Sequence, residues 1–153
     1  MLPKGSIVAI GSDHAGFHLK EQLKQTLLEL GYTPEDKGTY NTDSCDYPEF
    51  GAAVAHAVAD KKAAAGVLVC STGIGISISA NKVDGIRAAL VHHEFEAEMT
   101  RRHNDANIIC FGANVIGPSI AVECVKRFFA TDFEGGRHER RVGKLSAIER
   151  GEL

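Results

Sequence analysis

The chain has 153 residues, of which 44% are hydrophobic and 24% charged, with 20 acidic against 17 basic side chains and a formal net charge of −3. This composition excludes a disordered chain, the charge balance gives no electrostatic reason to expect nucleic-acid binding, and no apolar run nears the ~18–20 residues of a membrane span. Met1-Leu2-Pro3-Lys4-Gly5 lacks the apolar core of a secretory signal, so a cytoplasmic setting is expected. The cysteines Cys45, Cys70, Cys110 and Cys124 show neither CxxC nor zinc spacing and are expected as reduced thiols.

Ile7 to Ser12 predicts a buried strand. Gly16 to Leu30 predicts a helix with Leu19, Leu23, Leu27 and Leu30 on one face, stopped by Gly31. Tyr32 to Lys37 is a weaker strand, and Gly38 to Tyr47 a loop. Pro48 opens a helix to about Asp60, with Phe50, Ala53, Val54, Ala57 and Val58 inward. Gly66 to Cys70 is the clearest strand, followed by the turn Ser71 to Gly75 and a short helix to about Lys82. Arg87 to Val91 is the fourth strand, Glu94 to about Arg102 a helix, and Asn107 to Phe111 the fifth strand. Pro118 to Ala130 is a helix with Ile120, Cys124 and Phe128 inward. From Gly135 the tail is polar, rich in Arg and predicted helical from about Glu139.

This alternation predicts an α/β architecture: a single Rossmann-like or flavodoxin-like domain over residues 1–153, doubly wound around a five-stranded parallel sheet, with a C-terminal helical tail. Ligands of such sheets bind beyond the carboxyl ends of the strands. There the chain places Asp13 and His14, then Asp43, Asp46 and Tyr47, then Cys70, Ser71 and Thr72, then His92 and His93, and last Asn114. The turn Gly73-Ile74-Gly75-Ile76-Ser77-Ile78 fails the dinucleotide fingerprint at its last position, GxxxxGK[ST] is absent, and Ile76 stands where a cysteine-phosphatase loop needs Arg.

The turn does offer amides that open a helix and bind an anion. Cys70 precedes them, where the helix dipole favours a thiolate. A thiolate beside such amides suits proton abstraction next to a carbonyl, with the enediolate oxygen held by the amides. The alternative is a small buried hydrophobe ending a strand. Asp13 either binds a polyol or caps the helix that follows. His14 and His18 lie one helical turn apart, but no third ligand is evident and no metal is expected. Arg137 and Arg141 share a helix face and suit a phosphate dianion; the alternative for the cluster Arg137, His138, Arg140 and Arg141 is a solvated tail. The helix from Glu94 carries His103 roughly 13 Å back from the carboxyl edge. By itself His103 reads as a histidine at a helix C-terminus, stabilised by the dipole. The alternative is that it joins Cys70 across the subunit interface of a homodimer.

GSDHAGF at Gly11–Phe17, DYPEF at Asp46–Phe50, CSTGIGISISANK at Cys70–Lys82, GIRAAL at Gly85–Leu90, RRHNDANI at Arg101–Ile108 and EGGRHERRV at Glu134–Val142 together resemble the type B ribose-5-phosphate isomerases, in the wider family with the galactose-6-phosphate isomerase subunits. The resemblance implies a cofactor- and metal-free interconversion of aldose and ketose phosphates, typically ribose and ribulose 5-phosphate. It implies a homodimer or dimer of dimers with shared sites, the tail from about residue 131 packing on the partner. It implies Cys70 as base, assisted by Thr72, with the amides of Gly73, Ile74, Gly75, Ile76 and Ser77 as anion hole. It further implies His103 as the ring-opening acid/base, Asp13 and Tyr47 near the ring oxygen and hydroxyls, Asn104 as a sugar ligand, and His14, Arg137 and Arg141 on the phosphate. A subset of the family uses a Glu base six residues later, where this chain has Ile76. Many members carry Arg where this chain has Asn114, a departure that bears on phosphate binding and on which sugar phosphate is taken. A phosphosugar-binding module without catalysis and a redox role for Cys70 are the readings from other classes.

Overall fold

The computed structural model describes all 153 residues. In chain order the elements are β1 (Ile7–Ser12), α1 (Phe17–Glu29), β2 (Thr33–Asp36), α2 (Tyr47–Ala59), β3 (Ala65–Cys70), α3 (Ile74–Asn81), β4 (Ala88–Leu90), α4 (Glu94–Asn104), β5 (Ile108–Gly112), α5 (Pro118–Phe129) and α6 (Arg137–Glu149). The predicted alternation holds, with bounds shifted only within the usual fraying of element ends. Two of these shifts matter for function. Helix α4 runs on to Asn104, and α6 begins at Arg137 rather than Glu139, so His103, Asn104 and Arg137 are all helical. No helix is long and apolar enough to cross a membrane.

All pairings are parallel, and the strand order is β2-β1-β3-β5-β4. This order differs from the Rossmann order 3-2-1-4-5-6 and the flavodoxin order 2-1-3-4-5. The last two strands have exchanged places for a physical reason. Strand β5 is buried at every position, as an interior parallel strand must be, whereas β4 has three residues, all half-buried, as suits an edge.

Side chains along the central strands alternate between two cores. Val8, Ile10, Val67, Val69, Ile109 and Phe111 face α1, α4 and α5, where Leu19, Leu23, Leu27, Ala97, Cys124 and Phe128 meet them. Ala9, Leu68, Cys70, Ile108 and Cys110 face α2 and α3, against Val54, Ala55, Ile76 and Ala80. The inward face of α5 is set by Ala121, Cys124, Val125, Phe128 and Phe129. Ile120, expected inward, is instead 39% exposed, because that face turns just past it.

The point at which the chain reverses its progress across the sheet falls between β1 and β3, since it leaves β1 for β2 on one side and continues from β3 to the other. Crevices at such points are where ligands bind in parallel sheets. Here the two strand ends are tied directly, the Asp13 amide donating to Val69 O at 3.2 Å.

Candidate active site

Cys70 is the last residue of β3 and points to the α2/α3 face. The chain turns at once: Gly73 takes φ +76° as N-cap of α3, and a Cβ there would sit 2.4 Å from Leu90 Cδ1 and 2.8 Å from the Phe111 carbonyl carbon. Only glycine fits this turn. It aims the Gly73 amide back at the Cys70 sulfur, at 3.1 Å. The helical ladder of α3 then starts with Ser77 N–H donating to Gly73 O, so the amides of Gly75 and Ile76 ahead of it have no intrahelical acceptor. Ile74 N–H is held by Thr72 Oγ1 at 3.2 Å, which leaves the Thr72 hydroxyl hydrogen free to donate. The result is a sulfur with an amide aimed at it, a row of helix-end amides and an exposed hydroxyl within one turn. Cys70 itself is only 4% exposed.

Around this turn the structure gathers the other carboxyl-edge residues. Asp13, buried, accepts Gly16 N–H at 3.0 Å, closing the turn that starts α1. The Tyr47 ring covers Gly75, where a Cβ would lie 2.6 Å from Tyr47 Cζ, so glycine lets the ring roof the amides. His14 Nδ1 accepts the Cys45 amide at 3.2 Å. In the neutral ring this puts the hydrogen on Nε2, free to donate to a ligand. Asn114 donates from Nδ2 to Ser71 Oγ at 2.9 Å, beside the cysteine turn.

The remaining expected site residues lie elsewhere. Helix α4 leaves the end of β4 and returns to the start of β5, about 16 Å at 1.5 Å per residue. It ends at Asp105, φ +46°, whose carboxylate takes Arg101 at 2.8 Å and Arg87 at 3.3 Å. This stop places His103 and Asn104 in a groove with His138, Arg141, Val142 and Leu145, at the opposite end of the sheet from Cys70. Arg137 is exposed at the head of α6. The chain thus carries two separate groups of polar side chains, one of thiol and amides, the other of imidazole and guanidinium.

Burial bears most strongly on the two cysteines inside the core. Burial, reinforced by the neighbouring Cys70 sulfur, pushes the Cys110 thiol far up. Burial and then Glu94, Glu96 and Glu123 push Cys124 up to about 12. Neither is available as a thiolate near neutrality. In the groove, burial and then the charge of His103 hold His138 below the usual imidazole range.

His103, Glu134 and His138 bring ligand atoms within 4.8 Å of one another. However, the two rings are stacked at 4.2 Å with only 7° between their planes. An ion bound in plane to one nitrogen lies out of plane for the other, so this arrangement does not suit joint ligation.

The reading of the sequence missed three participants. Cys45, through its amide, sets the His14 tautomer, and no local pattern announces that contact. Glu134 lies within 4.8 Å of His103 and His138 at the groove and is held there by a salt bridge to Arg102 at 3.1 Å. His138 was visible only as part of a basic cluster; its spacing to Val142 and Leu145, all three lining the groove, was the available signal that it turns inward.

A thiol, a hydroxyl and helix-end amides at the switch point form an edge suited to holding an anionic ligand beside a group that can exchange a proton. Over 96% of this chain and 99% of the other, the fold superposes on ribose-5-phosphate isomerase B of Clostridium thermocellum with a TM-score of 0.94 and 45% identity. Residues 8–145 match the family described as Ribose/Galactose Isomerase, and the chain belongs to that family of isomerases. It is 43% identical over 142 residues (93% of this chain, 95% of the relative) to ribose-5-phosphate isomerase B of Escherichia coli. It is 40% identical over 146 residues (95% of this chain, 96% of the relative) to D-erythrulose-4-phosphate isomerase of Pectobacterium atrosepticum.

Proposed function

We propose that the protein interconverts ribose 5-phosphate and ribulose 5-phosphate, with Cys70 as the base. The observation that carries this is the Cys70 sulfur facing the Gly73 amide at the mouth of the α3 amides. After ring opening, the Cys70 thiolate takes the proton from C2 of the open aldose. The electrons move onto the C1 carbonyl oxygen, and the enediolate is held by the amides of Gly75 and Ile76, donors already aimed before charge develops. Thr72 sits where it assists transfer of the O2 hydrogen to O1. The sulfur then returns its proton to C1, and the ketose forms.

The remaining chemistry comes from a second copy of the chain. Opening the furanose needs an acid at the ring oxygen and a base at the anomeric hydroxyl, for which His103 and Asp13 are the suitable groups. Anchoring the phosphate needs donors away from the reacting carbons, supplied by His14 Nε2 and by Arg137 and Arg141. His103 and Arg141 line a groove at the far end of the sheet from Cys70. A homodimer in which each groove faces the partner's thiol assembles two complete sites, and Asn104 and the α6 tail then lie at the shared boundary.

The first test is turnover of ribose 5-phosphate followed by appearance of ribulose 5-phosphate. Cys70→Ala is expected to lower kcat by at least the ~10²–10⁴-fold of a lost general base while sugar-phosphate binding persists. Near-normal turnover refutes the assignment.

A second reading is favoured by one contact. Asn114 is held against Ser71 and supplies no cation at this edge. A shorter sugar phosphate brings its phosphate closer to the helix amides and depends less on a cation there. A panel of four-, five- and six-carbon aldose phosphates ranks the two: the higher kcat/KM on a tetrose phosphate selects the second.

A further inference from the structure

Three features of the far groove are not used by the chemistry above. The His138 ring is 5% exposed, and its Nε2 is buried without a hydrogen-bond partner. It lies flat against His103, centroids 4.2 Å apart and planes within 7°. It is also carried by α6, while His103 is carried by α4, so two helices are clamped by the pair of rings.

A buried imidazole that forgoes a hydrogen bond at Nε2 is costly unless its ring has another task. We propose that His138 is a positioning residue for His103: packed flat against it from a different helix, it fixes the plane in which the His103 ring meets the sugar. The proposal rests on the reading of His103 as the ring-opening group.

The geometry explains why an imidazole without charge suits the place. His103 sits in the last turn of α4, on a side chain with rotational freedom and only half-buried. A flat neighbour restricts rotation of its ring, because turning out of the stack loses the contact area. Burial first, then His103 from α4, oppose a charge on His138, and Arg137 and Arg141 from α6 act in the same sense. Glu134 ahead of α6 favours a charge, but it is engaged by Arg102 at 3.1 Å. His138 is thereby a flat, uncharged neighbour for the more open His103 ring.

The test compares three variants of the full-length enzyme, His138→Ala, His138→Phe and His103→Ala, in two assays. Ribose 5-phosphate exists as a ring and has to be opened. Ribulose 5-phosphate has its C5 oxygen esterified and cannot close a furanose, so exchange of its C1 hydrogen with deuterated water reports proton transfer alone. His138→Ala is expected to lower ribose 5-phosphate turnover tenfold or more while leaving exchange within about twofold. His138→Phe, which keeps a flat ring without titrating, is expected to recover most of that loss. Equal losses in both assays, or no loss in either, overturn the proposal, as does failure of His138→Phe to recover activity in a protein with an unchanged thermal midpoint. If His103→Ala leaves ribose 5-phosphate turnover intact, the reading of His103 itself is wrong and the positioning role falls with it, an outcome separate from the others.

Discussion

At the scale of single residues, the four cysteines have one chemistry in the free amino acid and separate roles in the fold. Cys110 and Cys124 are sealed and their thiols are pushed far up, so they fill space. Cys45 is half-buried, its sulfur 3.9 Å from His14 Nδ1, and contributes chiefly its amide. Cys70 ends a strand with an amide aimed at its sulfur. In a Cys45→Ser background, iodoacetamide is expected to add a single carbamidomethyl group, at Cys70, read by peptide mass. Saturating ribose 5-phosphate is expected to suppress it. Modification of Cys110 or Cys124 in the native protein, or labelling indifferent to the sugar phosphate, contradicts this division of roles.

At the scale of elements, the loop that delivers Cys45 and Tyr47 is tied down from α1. Lys20 is fully buried, and its ammonium donates to both Asp36 oxygens at 2.7 and 2.9 Å and to the Thr39 carbonyl. Lys24 reaches Asp36 at 2.9 Å from the solvent side. Burial disfavours the Asp36 carboxylate, yet Lys20, Lys24 and the Gly38 amide outweigh it and hold the carboxyl below its ordinary value. Lys20→Met leaves Asp36 with the Lys24 ammonium and the Gly38 amide, puts an apolar side chain against its carboxylate, and leaves the Thr39 carbonyl with no partner. The expected cost is roughly 3–5 kcal/mol, the range for breaking a buried pair, measured by urea unfolding. Because the folded pKa is lowered, the stability this carboxylate contributes is present above its unfolded value, near 3.9, and is lost as pH falls through the folded value. In Lys20→Met the folded value moves back toward the unfolded one, so the fall in stability on acidification is expected to be shallower than in the wild type. An unchanged acid limb shows that the pair contributes nothing measurable.

At the scale of the whole molecule, the parallel sheet separates two groups of one chain. Helix α4 runs from the carboxyl end of β4 to the amino end of β5, as a crossover between parallel strands must, so its last turn carries His103 to the end of the sheet opposite Cys70. The shared-site proposal follows from that separation. Cys70→Ala and His103→Ala homodimers are each expected to be nearly inactive on ribose 5-phosphate. Mixing them under subunit exchange is expected to restore activity, because half-and-half dimers contain one site with both groups intact. Restoration approaches one quarter of the wild-type rate for equal, random exchange: half the dimers are mixed, and each has one of two sites complete. No recovery, with exchange verified by native mass spectrometry, rules out sites shared in this way.

Much of this was written in local pattern. Short continuous apolar runs marked the strands, leucines recurring every three or four residues marked α1, and Pro48 and Pro118 marked helix starts, because these signals depend only on neighbours along the chain. The motif around Cys70 was equally legible, since a turn that opens a helix places its amides by local geometry alone. Strand order was not, because nothing within β4 or β5 records which of them lies at the edge; that follows from how much apolar surface each buries against the rest. The direction of Ile120, the tautomer of His14 and the stacking of His138 on His103 share that cause. Each depends on a contact between segments far apart in sequence. The amino-acid order by itself determined the elements, the parallel α/β class and the thiol-and-amide edge. The separation of His103 from Cys70 was legible too, from the length of the helix that carries it. Only the tertiary structure decided the strand order and which residues meet across elements, because those depend on contacts between segments far apart in the chain.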